Sequence, residues 1–116
     1  MSDASTTVIS VGANPELVML RNFVLQEAGF NVISTADEHD ALARIERGEC
    51  GVLLMCYSLR AEVRKKLAEA LRSSCPGSRI VAVANKQMEK PIFADRFVYG
   101  IEGPEALIDA VRASMA

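Results

Sequence analysis

The chain alternates between short apolar runs of strand length and longer segments in which apolar residues return every three or four positions. Val8-Ile9-Ser10-Val11 is largely β-branched and stops at Gly12-Ala13-Asn14-Pro15-Glu16. Asn14 is placed to cap a helix there, Pro15 suits its first position, and Glu16 complements the dipole. Leu17, Leu20, Val24 and Ala28 then recur at helical spacing, with Met19, Phe23 and Leu25 widening the stripe, until Gly29 closes the element. Phe30 to Thr35 reads as a second strand. Asp37, with Asp40 following, opens a second helix that carries Ala41, Leu42 and Ile45 and ends at Gly48. Gly51 through Cys56 is apolar without alternation, as expected of a central strand covered on both faces.

Ser58 is expected to cap a third helix running to about Ser73, in which Leu59, Val63, Leu67 and Leu71 repeat every fourth residue and basic residues take the other side. Pro76-Gly77 breaks it. Ile80 to Ala84 reads as a buried strand and Arg96 to Tyr99 as a shorter, final one. Gly103-Pro104-Glu105 then starts a helix with Ala106, Leu107, Ala110 and Val111 on its apolar face. Strands alternating with helices at this spacing predict an α/β domain of three layers, a doubly wound parallel sheet with helices on both faces. Only eleven residues separate Ala84 from Arg96, and Pro91 is among them, so the fourth helix is expected to be shortened or missing.

At 116 residues and 50% apolar content the chain is sized for one domain over 1–116, with 1–6 as a flexible N-terminus. No apolar run approaches the roughly 20 residues of a bilayer span. Residues 1–7 show no basic-then-hydrophobic leader, so a soluble, cytoplasmic protein is expected. Cys50, Cys56 and Cys75 fit neither a zinc spacing nor a CxxC pair and are expected to be reduced thiols. The net charge is −2, but residues 60–79 hold six basic side chains against two acidic ones, which leaves the rest of the chain at −6. Such a block reads first as a solvated helix face and second as a docking patch for an acidic partner. It lacks the interleaved aromatics of a nucleic-acid surface.

In order and residues these elements resemble the receiver domain of two-component response regulators, whose fold is flavodoxin-like. The likeness covers about residues 7–113. It is carried by Val8 through Glu16, by Gly29-Phe30-Asn31-Val32 through Ala41-Leu42, by Gly51 through Cys56, and by Ala94-Asp95-Arg96-Phe97-Val98 leading to Pro104-Glu105-Ala106-Leu107. It implies a five-stranded parallel sheet in the order 2-1-3-4-5. In receivers an aspartate ending the third strand takes a phosphoryl group from a histidine kinase. An acidic pair after the first strand holds Mg²⁺, a Thr or Ser after the fourth touches the phosphoryl group, and a Lys after the fifth pairs with it. By this resemblance the acidic pair falls on Gly12 and Ala13, the phosphoacceptor on Cys56, the hydroxyl on Ala84 and the lysine on Gly100. Lys90-Pro91 lies too close to the fourth strand to replace that lysine and reads as loop. Phe97 takes the position of the switch aromatic, and Tyr99 shares its face by strand alternation.

Mg²⁺ is a hard cation that needs oxygen ligands, and Gly12, Ala13 and Cys56 offer no carboxylate. No magnesium, other metal or cofactor is therefore expected. Without metal or lysine a transferring phosphoryl group has no electrostatic clamp, and aspartyl phosphorylation has no residue at Cys56. The rim of the sheet presents Asn14, Cys56, Tyr57, Asn85 and Lys86. These are hydrogen-bonding groups without an acid–base pair, suited to a small-ligand or anion pocket but to no hydrolytic mechanism. Cys56 reads as a small core hydrophobe or as a thiol sensor. His39 reads as a neutral surface residue, and Asp37, Glu38 and Asp40 as companions of a helix start. The expected function is a phosphorylation-independent pseudo-receiver, a protein-protein interaction module of bacterial two-component-type signalling with no catalytic residues. Its expected contact with a protein partner or second copy is the face of the fourth helix, fifth strand and last helix, through Ile92, Phe93, Phe97, Tyr99 and Ile101. The alternatives are an active phosphorelay receiver with atypical chemistry and a sensor acting through the Cys56 thiol.

Overall fold

The apolar tracts form strands and the periodic segments form helices. The computed structural model describes residues 7–85 and 94–115. Along the chain run β1 (Thr7–Val11), α1 (Pro15–Glu27), β2 (Asn31–Thr35), α2 (Glu38–Glu46), β3 (Val52–Cys56), α3 (Ala61–Ser74), β4 (Ile80–Ala84), β5 (Arg96–Tyr99), a 3₁₀ turn at Gly100–Glu102 and α4 (Pro104–Ser114). The sheet order is β2-β1-β3-β4-β5 and every pairing is parallel, as the resemblance implied. Four α-helices lie among the described residues; the expected short fourth helix, with Ile92 and Phe93, falls on 86–93, outside them.

Strand alternation sorts the core into two clusters. Ile9, Val11, Leu53, Met55 and Ile80 face α2 and α3, meeting Ile45, Val63, Leu67 and Leu71. Val8, Val52, Leu54, Val81, Val83 and Val98 face the other way and meet Leu25 of α1 with Leu107 and Val111 of α4. β3 is buried along its whole length, which is why it shows no polar alternation, while edge strand β2 leaves Asn31 and Ser34 exposed. By the same parity Cys56 continues the row of Val52 and Leu54 toward α1.

Local signals hold at α1 and α2. Asn14 Oδ1 accepts from the Glu16 and Leu17 amides at 3.0 and 3.4 Å, with Pro15 in the first turn, and Asp37 Oδ1 accepts from His39 N at 2.9 Å. Gly29 and Gly48 end these helices at φ 97° and 84°, which L side chains rarely adopt. At α3 the expectation fails. The cap position is Arg60, without a side-chain hydrogen bond, and Ser58 two residues earlier is engaged elsewhere: its Oγ accepts from Ala13 N at 2.9 Å across the top of the sheet.

The inward face of α1 also differs from the expected stripe. Val18 and Leu25 are buried, Leu17 and Val24 are half-buried, and Met19, Leu20 and Phe23 are 71%, 59% and 62% exposed. The helix is turned by one residue, roughly 100°, from the Leu17–Leu20–Val24 orientation. Seven of its thirteen residues are large and apolar, more than one face can bury, so periodicity alone does not select the face.

The cysteines require a second correction. Cys50 and Cys75 form a disulfide with Cα atoms 5.7 Å apart, so two of the three expected thiols are paired, and Cys56 is free and buried. The cause is topological. β3 carries the chain to the carboxyl end of the sheet and α3 returns it, so the end of α3 arrives beside the residues that enter β3.

Along α2 and just past its end, Arg44 bridges Asp40 at 3.1 Å and Glu49 at 3.2 Å, and Arg47 reaches Glu49 at 2.8 Å. The Arg44 hydrogen bond holds the Asp40 carboxyl below its ordinary pKa, and the Arg47 hydrogen bond does the same for Glu49. A carboxylate with a lowered folded pKa adds stability above its unfolded pKa and loses it as pH falls through the folded value. Arg44→Met is therefore expected to move both carboxyl titrations upward in carbon-detected NMR and to leave stability at neutral pH nearly unchanged. Unmoved titrations would show that the bridges do not persist in solution.

Candidate functional site

Four strands deliver their ends to one rim: β1 into Gly12 and Ala13, β3 into Tyr57 and Ser58, β4 into Asn85, and β5 into Gly100. In open parallel sheets this edge, near the reversal of strand order, is where ligands bind. Here β1 and β3 are adjacent and their helices leave on opposite faces, so Gly12 and Cys56 meet at the reversal.

Gly12 is closed in. A Cβ there would stand 2.9 Å from Val18 Cγ2, 3.1 Å from Cys56 Cβ and 3.4 Å from Ser58 Oγ. The Ala13 amide bonded to Ser58 Oγ ties the loop after β1 to the loop after β3 directly above this contact. Ala13 itself is exposed. Cys56 is 2% exposed, and its thiol accepts from Arg21 Nη1 at 2.8 Å and, more weakly, from Ser58 N at 3.5 Å. Arg21 comes from α1, with its Cζ 5.7 Å from the centre of the Tyr57 ring. The charged group that reaches the buried part of the rim is thus a cation. Among the described residues no group of three or more His, Cys, Asp or Glu is placed to hold a metal ion.

The remaining rim residues lie as follows. Asn14 is occupied with capping α1. Ala84 is fully buried in register with Tyr99. Asn85 is exposed at the end of β4, and Lys86 is outside the described residues. Gly100 is exposed at the start of the 3₁₀ turn, which Glu102 Oε2 braces by accepting from Tyr99 N at 3.0 Å. A Cβ at Gly100 would meet only ordinary contacts, the nearest being Tyr57 at 3.5 Å.

Phe97 and Tyr99 share a face as expected, with ring centroids 5.3 Å apart edge to face, and both are half-buried. The Ile101 side chain is outside the described set. Among the described residues the exposed large hydrophobics lie on α1: Met19, Leu20 and Phe23. Next to them, between α1 and α4, runs a groove of about 260 Å³ whose walls include Leu17, Leu20, Arg21, Val24 and Leu107. Sequence reasoning missed Arg21 and this patch. The available signal was the surplus of apolar residues on α1.

Half of the basic block is paired: Arg60 with Glu38 and Glu62, and Arg72 and Arg79 with Asp95, while Lys65 and Lys66 stand exposed on α3 and Arg64 is half-buried. His39 is exposed. Among the described residues no helix is long and apolar enough to cross a membrane.

No family model matches the sequence, and no curated protein is similar to it. In structure the chain is similar to a CheY-like response regulator receiver domain protein from Methanospirillum hungatei, with TM-score 0.80, 20% identity, and 95% of this chain and 93% of that one covered. It is similar to chemotaxis protein CheY4 of Vibrio cholerae, with TM-score 0.79, 18% identity and coverage of 94% and 98%. A response regulator receiver domain protein from Clostridium thermocellum gives TM-score 0.82, 9% identity and coverage of 95% and 94%. Identities this low speak to architecture alone: the chain has the flavodoxin-like α/β fold found in response-regulator receiver domains.

Proposed function

We propose that the chain is a phosphorylation-independent receiver-type module, cytoplasmic and not an enzyme, that serves two-component-type signalling by binding a protein partner or a second copy of itself. The observation that carries this reading is the closed contact of Gly12 with Val18 and Cys56, sealed by a guanidinium on the Cys56 thiol. A divalent cation entering there would meet the positive charge of Arg21, and Glu38, which lines a pocket with Ala13 and Ser58, is paired with Arg60, whereas phosphoryl transfer depends on free carboxylates around the metal. The recognition surface we assign is α1, where Met19, Leu20 and Phe23 stand exposed together. Burying each against a partner is worth about 1.5–3 kcal/mol at full burial. The sensor reading is disfavoured because the Cys56 thiol lies beneath Arg21, inaccessible to an oxidant.

Acetyl phosphate or beryllofluoride with Mg²⁺ is expected to leave the amide NMR spectrum unchanged and to yield no acid-labile phosphate. A Mg²⁺-dependent shift at the rim would overturn the reading in favour of an active phosphorelay receiver. Phe23→Asp, at an exposed site, is expected to change stability by no more than about 0.5 kcal/mol while weakening self-association in sedimentation equilibrium. Should Tyr99→Asp weaken it instead, contact belongs to the β5–α4 face.

A further inference from the structure

Arg21 is in an unusual position for a guanidinium. Its planar fork is matched to carboxylates, yet the side chain is half-buried against a thiol and an aromatic ring, and among the described residues it forms no ion pair. It lines the α1–α4 groove, whose other walls are mainly apolar and, among the described residues, contain no carboxylate. α4 starts at this groove too, and Gly103, its cap residue, has no side chain to bond the first amides. The groove therefore combines an apolar body with one positive charge, the composition of a small-molecule site.

We propose that this groove binds a small apolar monocarboxylic acid, with the carboxylate on the Arg21 guanidinium and the chain or ring between α1 and α4. A single cation balances a monoanion and leaves a phosphate dianion half-compensated. A volume near 260 Å³ accommodates an aryl or short alkyl chain and excludes a nucleotide. The inference goes beyond the recognition reading but connects to it: Leu20 belongs both to the groove wall and to the exposed α1 patch, so an occupied groove changes the surface a partner meets.

The test is titration of the full chain with phenylbutyrate, followed by amide NMR shifts, beside phenylbutanol and acetate as the neutral analogue and the bare headgroup. Phenylbutyrate is expected to bind saturably with Kd of about 0.1–1 mM, to shift α1 and α4 amides, and to exceed the alcohol by about 10-fold or more. Acetate is expected not to saturate. Arg21→Met should bring acid and alcohol to equal affinity. Gly100→Leu, at a site with room for a Cβ, should fill the groove and abolish both. The proposal is overturned if the alcohol binds as tightly as the acid, if Arg21→Met keeps the preference, if the shifts map away from α1 and α4, or if neither compound saturates by about 5 mM. None of these outcomes bears on the phosphate and beryllofluoride test, so the two readings fail separately.

Discussion

Reduction of the Cys50–Cys75 disulfide is expected to lower stability by about 3–4 kcal/mol and the unfolding midpoint by roughly 15 °C. The bond closes a loop with a sequence separation of 25. Opening it restores to the unfolded chain the freedom that this loop removed, a cost that grows with the logarithm of loop length. The native state loses little by comparison. Cys75 is 3% exposed in the cluster formed with Leu71 and Ile80, and a reduced thiol there still packs as a small hydrophobe. The loss should therefore appear with little change in the native near-ultraviolet spectrum. Urea unfolding with and without dithiothreitol measures it, and Cys75→Ala should reproduce the reduced midpoint and become insensitive to reductant. A shift below about 1 kcal/mol on reduction would show that the two sulfurs are not bonded in solution. In a reducing compartment the pair is held open, and the domain then rests on its two core clusters alone.

What the sequence discloses and what it hides divide along a physical line. Strand identities were legible because β3 and β4 are covered on both faces and carry almost nothing but apolar side chains. Helix starts at Asn14 and Asp37 were legible because capping is local, decided within three residues. Three features depend on contacts between distant segments and left no local mark. Ser58 has the side chain of a helix cap, but a donor 45 positions away claims its hydroxyl and α3 starts two residues later, with Arg60 at its cap. Cys50 and Cys75 meet only because a βα unit folds back on itself. On α1 the choice of Val18 and Leu25 over Leu17 and Val24 as the inward pair belongs to the sheet beneath and not to the helix. The rim was partly legible: Gly12 and Cys56 were identifiable as neighbours at the strand ends, while Arg21, reaching in from α1, was not. Its place in the helix pattern reads simply as polar.

Gly12→Asp is expected to destabilise the protein by about 3–5 kcal/mol, from two sources. The new Cβ would sit 2.9 Å from Val18 Cγ2 and 3.1 Å from Cys56 Cβ, and Val18 is a stiff, β-branched residue only 6% exposed. Overpacking of this kind costs about 1–3 kcal/mol, which Gly12→Ala alone should show. The remainder comes from a carboxylate placed in a buried position with no cation of its own except Arg21, which must leave the Cys56 thiol to meet it. Ala13→Asp is the control. Ala13 is the exposed neighbour, so the same charge one residue later should change stability by no more than about 0.5 kcal/mol. Mg²⁺ is expected to rescue neither variant, because one carboxylate beside a thiol and a guanidinium is a poor site for a hard dication. Chemical denaturation of the three variants with and without Mg²⁺ measures all of this. A Gly12→Asp protein as stable as its parent, or one stabilised by the metal, would mean that the rim can open to admit an acidic pocket, and the case for recognition without phosphorylation would lose its structural footing.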